Sequence, residues 1–326
     1  MLKRLKFLST LFVLAMGSLS AYIHPGPGAW EVHGEFLYLF PSVDDTYFVI
    51  DSPSAVGFPN GTRENNDFHF HPGFRVGGAF GLCGECNEEI RVDYTRLRAQ
   101  RDRTISGTNL FATRGRADFV SLFDGYAGTA SADNDLLYHR LDVVFAHESF
   151  QCCPFDLYFL AGLQWDYVRF REEYTYASAE VLGSVVQKSR TWGIGPEFGL
   201  EFDYDLCDFS SFCLPGNLSV RALTVGSLLA SKTQQREQNS APGVDLNVRD
   251  SYTWRIIPAW HARIGLNYIT CFSCFNAAIE VGYEFNSYSR ALSRTEFPDD
   301  VADGLSFNNY HNFDLQGLYV SLAVSF

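Results

Sequence analysis

The sequence predicts an all-β fold, a transmembrane antiparallel β-barrel of ten strands with short periplasmic turns and long external loops. Three observations predict it. Apolar and polar residues alternate with period two over stretches longer than the five or six residues of an ordinary soluble strand. The gaps between these stretches are short and long in turn. An export-type segment precedes them all.

That segment comes first in the chain. Lys3, Arg4 and Lys6 form a basic start, Phe7 to Met16 is apolar, and Ser18-Leu19-Ser20 supplies small residues for cleavage before Ala21. The apolar run is half of the roughly 20 residues that a membrane-spanning helix needs. The expected organisation is a signal peptide over 1–20 and a barrel over 21–326. Losing Lys3, Arg4 and Lys6 would take the formal net charge from −13 to −16.

The segment Trp192 to Leu206 carries the clearest strand signal. Trp192, Ile194, Pro196, Phe198, Leu200, Phe202, Tyr204 and Leu206 alternate with residues that include Glu197, Glu201, Asp203 and Asp205. A tilted membrane strand needs about 9–11 residues in the hydrocarbon. The acidic face cannot touch lipid, so Glu197, Glu201 and Asp203 are expected to face the lumen. Trp254 to Tyr268 repeats the pattern, with Arg255 and Arg263 among the alternate, lumen-facing residues. Ala277 to Phe285 alternates with Glu280 and Glu284, and Trp30 to Tyr38 with Glu31, His33 and Glu35. Further strands are expected over 73–82, 89–98, 136–147, 156–169, 217–230 and 311–326. Pro196 and Pro258 lack a ladder donor and are read as bulges, with strand breaks as the alternative.

The short gaps are 83–88, 148–155, 207–216 and 270–275; the long ones are 41–67, 99–134, 170–190, 231–250 and 288–310. This alternation is the outer-membrane pattern. A hairpin hidden near Phe119 to Ala127 would raise the strand count to twelve. Aromatic residues make up 16% of the chain, suited to a lipid-facing wall and its interfaces. The acidic balance excludes nucleic acid as a partner, since phosphate contacts want a basic face.

All eight cysteines fall in or beside the short gaps: Cys83 and Cys86, Cys152 and Cys153, Cys207 and Cys213, Cys271 and Cys274. An even count in an exported chain points to disulfides. They are read either as local staples or as a rim of thiols bonding to other cysteine-containing envelope proteins or to further copies of the chain. Strand flanks argue against a redox C-x-x-C, which wants a helix N-terminus, and the spacing argues against a zinc ribbon. No metal or cofactor is expected. His69 and His71 share a face, but an aromatic interface position accounts for them. Arg75, Arg91, Arg140, Arg255 and Arg263 with the lumen carboxylates are read as a salt-bridge network rather than catalytic pairs. No nucleophile elbow, phosphate loop or H-E-x-x-H is present. His311 and Asp135 are the residues from which a rim hydrolase could be built. The alternating last strand ends in Phe326, as the signal read by the bacterial barrel-assembly machinery does.

Trp30-Glu31-Val32-x-Gly34, Leu37-Tyr38-Leu39-x-Pro41, Trp192-Gly193-Ile194-Gly195-Pro196-Glu197 and the closing Gly317-Leu318-Tyr319 to Phe326 together resemble the Legionella major outer membrane protein-like family. That family is also found in amoeba-associated relatives of the chlamydiae. The resemblance implies a bacterial outer-membrane barrel, porin-like or structural, without catalytic residues, embedded in outer-membrane lipid within an envelope stiffened by disulfides. The alternative is an adhesin-like barrel binding through its long loops.

Overall fold

A computed structural model describes residues 23–54, 60–82, 87–152, 154–208, 216–272, 275–297 and 306–326. The segment 1–20, expected to be a signal peptide, lies outside the described residues. Among the described residues the strands are β1 (Trp30–Val43), β2 (Tyr47–Asp51), β3 (Thr62–Asn65), β4 (His71–Gly81), β5 (Glu89–Ala112), β6 (Tyr126–Cys152), β7 (Phe155–Ser178), β8 (Leu182–Asp208), β9 (Asn217–Ala241), β10 (Val244–Arg249), β11 (Thr253–Cys271), β12 (Asn276–Glu296) and β13 (Phe307–Ser325), with a short helix, α1 (Ala117–Ser121).

Ten of these strands close a ring. Antiparallel ladders run from β1 through β4, β5, β6, β7, β8, β9, β11, β12 and β13 back to β1. The closing seam pairs Glu31 with Ser325 and Val43 with Phe313. The backbone groups of Trp30 and Phe326 also exchange hydrogen bonds of 3.0 and 2.9 Å. Full closure removes the sheet edges that a hydrocarbon environment does not tolerate. The remaining strands, β2, β3 and β10, lie in the connections on the long-loop side.

The alternation sorts the side chains. Phe198 is 65% exposed on the outer face, while its neighbour Glu197 is buried. Ile256, Leu163 and Leu228 are exposed in the same way on neighbouring strands. Such a band of bare apolar side chains is what a lipid-facing wall requires.

Three expectations need correction. The long gaps are mostly strand, not loop. β7 continues to Ser178 and β8 starts at Leu182, so a nominal gap of 170–190 shrinks to a three-residue turn. β9 and β10 meet at Pro242-Gly243, where Gly243 takes φ +81°, a conformation that suits glycine. Beyond the lipid band the pattern inverts: Arg169, Arg171 and Glu173 point outward while Phe170, Tyr174 and Tyr176 are buried inside. A search for outward apolar residues stops where this inversion begins. The hairpin imagined near Phe119 is instead α1 between extended β5 and β6.

The prolines are not bulges. The β8–β9 register is the same on either side of Pro196, and the β9–β11 register runs unbroken through Pro258 opposite Leu228. Pro258 lies just beyond Ala259, the last β11 residue paired with β12, so no donor is required of it on that side. The large irregularity is elsewhere. Between Tyr288 and Leu292 the β12–β13 register shifts, with Arg290 at φ +56°. Above this point β12 leaves β11 and turns into the barrel mouth.

Candidate functional site

The lumen is the candidate site, and it is filled in layers. Nearest the short-turn rim, inward residues of most strands are charged. Arg75 on β4 bonds Glu35 on β1, and its second amino group reaches Glu284 on β12 at 2.9 Å. Arg263 on β11 joins the same group, 3.1 Å from Glu35 and 3.0 Å from Glu280. Arg91 on β5 lies 2.6 Å from Glu201 on β8, which also takes Arg221 of β9. Arg140 on β6 holds Asp142 at 2.7 Å and reaches Glu197 at 3.5 Å. Apart from Arg140–Asp142, which lies within β6, these pairs join neighbouring strands or span the barrel, so the network ties the wall together across its interior. Removing one partner from such buried pairs is costly because it strands a charge. A cavity of about 70 Å³ remains among His33, Glu35, Arg75, Arg140, Glu197 and His261. It has room for a few waters.

The N-terminal segment covers the rim below. His24 stacks on Tyr158 with ring centroids 4.0 Å apart, and its nitrogens lie 3.1 Å from Glu89 and 3.1 Å from Asp203. Burial alone would lower the imidazole pKa, but the Glu89, Asp203 and Glu201 carboxylates outweigh it and raise it to about 9. Ile23 packs beside it against Ala278 and Ala323.

Above the charged layer lies an apolar one. Leu37, Leu39, Leu97, Leu136, Phe170 and Phe313 are buried together, with Tyr138 and Tyr288 among them. These residues sit on inward faces where a water-filled barrel would be polar. The two tyrosine hydroxyls meet at 2.7 Å, and Tyr288 donates to Asp166 at 3.2 Å.

At the mouth, the inturned part of β12 packs on the inner faces of β8 and β9. Thr191 Oγ1 donates to the Ala291 carbonyl at 2.7 Å, and Ser293 Oγ donates to Gln235 at 2.8 Å. Arg294 grips Glu172 at 2.6 Å and Asp45 at 2.9 Å. Phe119 in α1 and Phe123 just after it pack with Phe48, Tyr174 and Tyr176 in a second apolar cluster over this layer.

The structure brings Glu197, Glu201, Asp203 and Arg263 into or beside the charged layer. It separates Arg255 from them. Arg255 lies high on β11, 3.8 Å over the Tyr310 ring, and donates to the Arg290 carbonyl and Thr233 rather than to a carboxylate. Asp135 and His311 are not brought together: Asp135 points outward to Arg98 and Arg169, while His311 is buried inside. His71 packs edge-on against Phe68. Of the cysteines, Cys152 and Cys271 end strands β6 and β11 at the short-turn rim, and Cys207 is the last residue but one of β8. Cys271 is exposed and has no disulfide partner among the described residues. Cys83, Cys86, Cys153, Cys213 and Cys274 lie outside the described residues, and so do the pairings proposed for them. Two carboxylate–histidine groups have metal-like spacing, His24 with Glu201 and Asp203, and Asp45 with Glu296 and His311. In each, arginines already neutralise a carboxylate, Arg91 and Arg221 in the first and Arg114 and Arg294 in the second. Arg221 was not singled out in the sequence, although it lies at an inward position of 217–230.

No curated protein matches the chain. Among solved structures, the outer membrane protease OmpT of Escherichia coli is similar over 94% of this chain and 98% of its own, at 12% identity and TM-score 0.46. The translocator domain of the autotransporter NalP of Neisseria meningitidis is similar over 92% and 88%, at 10% identity and TM-score 0.36. The toluene transporter TodX of P. putida is similar over 92% and 90%, at 8% identity and TM-score 0.34. Likenesses of this size carry no functional inference. A family model for the Legionella pneumophila major outer membrane protein precursor matches residues 25–326, nearly the whole chain, and with a closed barrel walled in apolar side chains the protein belongs to that family and resides in the bacterial outer membrane.

Proposed function

We propose that the protein is a structural barrel of the outer membrane whose lumen is closed to solutes, and that its cysteine-bearing rim bonds it to neighbouring envelope proteins or to further copies of itself. The observation that carries the reading is the apolar layer around Tyr138 and Tyr288, packed between a charge network below and the inturned β12 above. A solute would have to part all three. Ten strands favour this, since eight leave an interior that side chains just fill and 16–18 leave a water channel. The exposed Cys271 thiol supports the second half, because free thiols do not persist in an oxidising compartment. Asp135 and His311, on opposite faces of the wall, favour a non-enzymatic role. Phe326, hydrogen-bonded at the closing seam, is proposed as the residue read by the barrel-assembly machinery.

Liposome swelling tests the closed lumen. Vesicles carrying the refolded barrel should shrink and stay shrunken in small sugars, as protein-free vesicles do. Re-swelling that scales with the amount of barrel would replace this reading with a porin. Non-reducing gels of native envelopes test the rim: high-mass species should collapse to monomer with reductant, and should diminish when Cys152, Cys153 and Cys271 are replaced by serine.

A further inference from the structure

Beyond the lumen, the strand register builds a ladder of cations on the outer face. Arg171 lies opposite Lys188 across β7–β8, Lys188 opposite Arg236 across β8–β9, and Arg236 opposite Arg249 across β9–β10. Arg169 and Arg190 face each other two residues closer to the membrane. Like charges directly opposite one another destabilise a sheet. The chain as a whole is acidic, at −13, so composition does not explain the concentration.

Internal compensation is partial. Asp135 lies 2.9 Å from Arg169, Glu173 pairs with Arg171, and Arg249 donates to Gln234. Among the described residues no ion pair forms to Lys188, Arg190 or Arg236. Two open clefts lie between them. One of about 120 Å³ is lined by Lys188, Arg190, Arg236 and Arg249 with Gln234 and Gln235, and one of about 170 Å³ by Arg169, Arg171, Lys188 and Arg190 with Asp135, the carboxylate already paired with Arg169.

The position of the ladder says what completes it. The next row toward the membrane pairs Tyr167 with Trp192 and includes Lys232 and Trp254. Such aromatic residues mark the interface of the lipid-facing band. The cations stand two and four residues beyond it, about 7–13 Å along the strands at 3.3 Å per residue. That is the level of outer-leaflet headgroups, with Ile194 and Phe198 exposed below for acyl chains. We propose that the ladder binds the phosphate groups of an outer-leaflet lipid headgroup. Arginine and lysine recognise phosphate by charge-assisted hydrogen bonds, and basic residues at a bilayer surface draw anionic lipids. The lipid, not free phosphate, is the occupant, because only a lipid also covers the apolar wall beneath.

The refolded full chain in phosphatidylcholine vesicles provides the test, with diphosphoryl lipid A as probe. Dephosphorylated lipid A and inorganic pyrophosphate in neutral vesicles are the other arms. Lipid A retained per barrel is measured for wild type, Lys188→Ala, Arg236→Ala and the double variant. Each cation removed should weaken retention about fivefold, and the double variant roughly 25-fold. The double variant should also be at least as heat-stable as wild type in neutral detergent, since it sheds opposed charges. Equal retention by wild type and double variant would overturn the proposal, as would equal retention of the dephosphorylated lipid. Pyrophosphate binding as tightly as lipid A would assign the ladder to free phosphate and overturn the lipid.

Discussion

The Tyr138 and Tyr288 hydroxyls meet at 2.7 Å in the barrel interior, joining β6 to β12, which are not neighbours in the wall. A contact of this kind exists only if the lumen is narrow enough for side chains to bridge it. Tyr288→Phe leaves Asp166 and Tyr138 short of a partner in a buried place. It should cost about 1–3 kcal/mol of stability in urea unfolding from lipid vesicles. An unchanged midpoint would mean that the hydroxyls are solvated.

Arg75 sits between Glu35 and Glu284, from strands on two sides of it. Arg75→Ala leaves two buried carboxylates without their shared cation and should cost about 3–5 kcal/mol. Arg98→Ala, at an exposed pair with Asp135, should cost at most about 1 kcal/mol. Parallel unfolding titrations compare them, and similar costs would argue against a dry charged layer.

Phe198 lies midway along the outward apolar run of β8 and is 65% exposed. Phe198→Arg should cost about 2–4 kcal/mol in vesicles, the penalty for a cation near the bilayer midplane. Equal stability of wild type and variant would place that face outside the hydrocarbon.

His24 binds the N-terminal segment to the rim through Glu89 and Asp203. Its pKa is raised to about 9, so the stabilisation is full below the ordinary value near 6.5 and is lost as pH rises through 9. Amide exchange of residues 23–28 should therefore accelerate between pH 6.5 and 9 beyond the intrinsic chemical increase. His24→Gln should remove that excess. The same excess in the variant would show that another group tethers the segment.

The sequence was legible where lipid imposes a rule. Outward apolar residues from Trp192 to Leu206 gave the register of β8, and the alternate acidic residues gave the inward face. Ten strands followed from counting such runs. The upper half was not legible, because above the membrane both faces change character. Lys188 and Arg190 point outward there and Val185 inward, so the lipid pattern is absent although the strand continues. The cation ladder was hidden for the same reason, its members lying at the edges of nominal loops. The inturn of β12 rests on a register shift and on Arg290 at positive φ, neither of which side-chain alternation encodes. Arg221 was missed because Leu223 and Val225 on the same inward face blur the alternation of β9.

Single-channel recording in a planar bilayer tests the central claim most directly. The refolded wild-type barrel should insert without steady conductance steps, because the layer around Tyr138 and Tyr288 blocks the ion path. The Tyr138→Ala, Tyr288→Ala double variant should show steps more often. Stable, uniform steps from wild type at neutral pH would contradict the closed lumen.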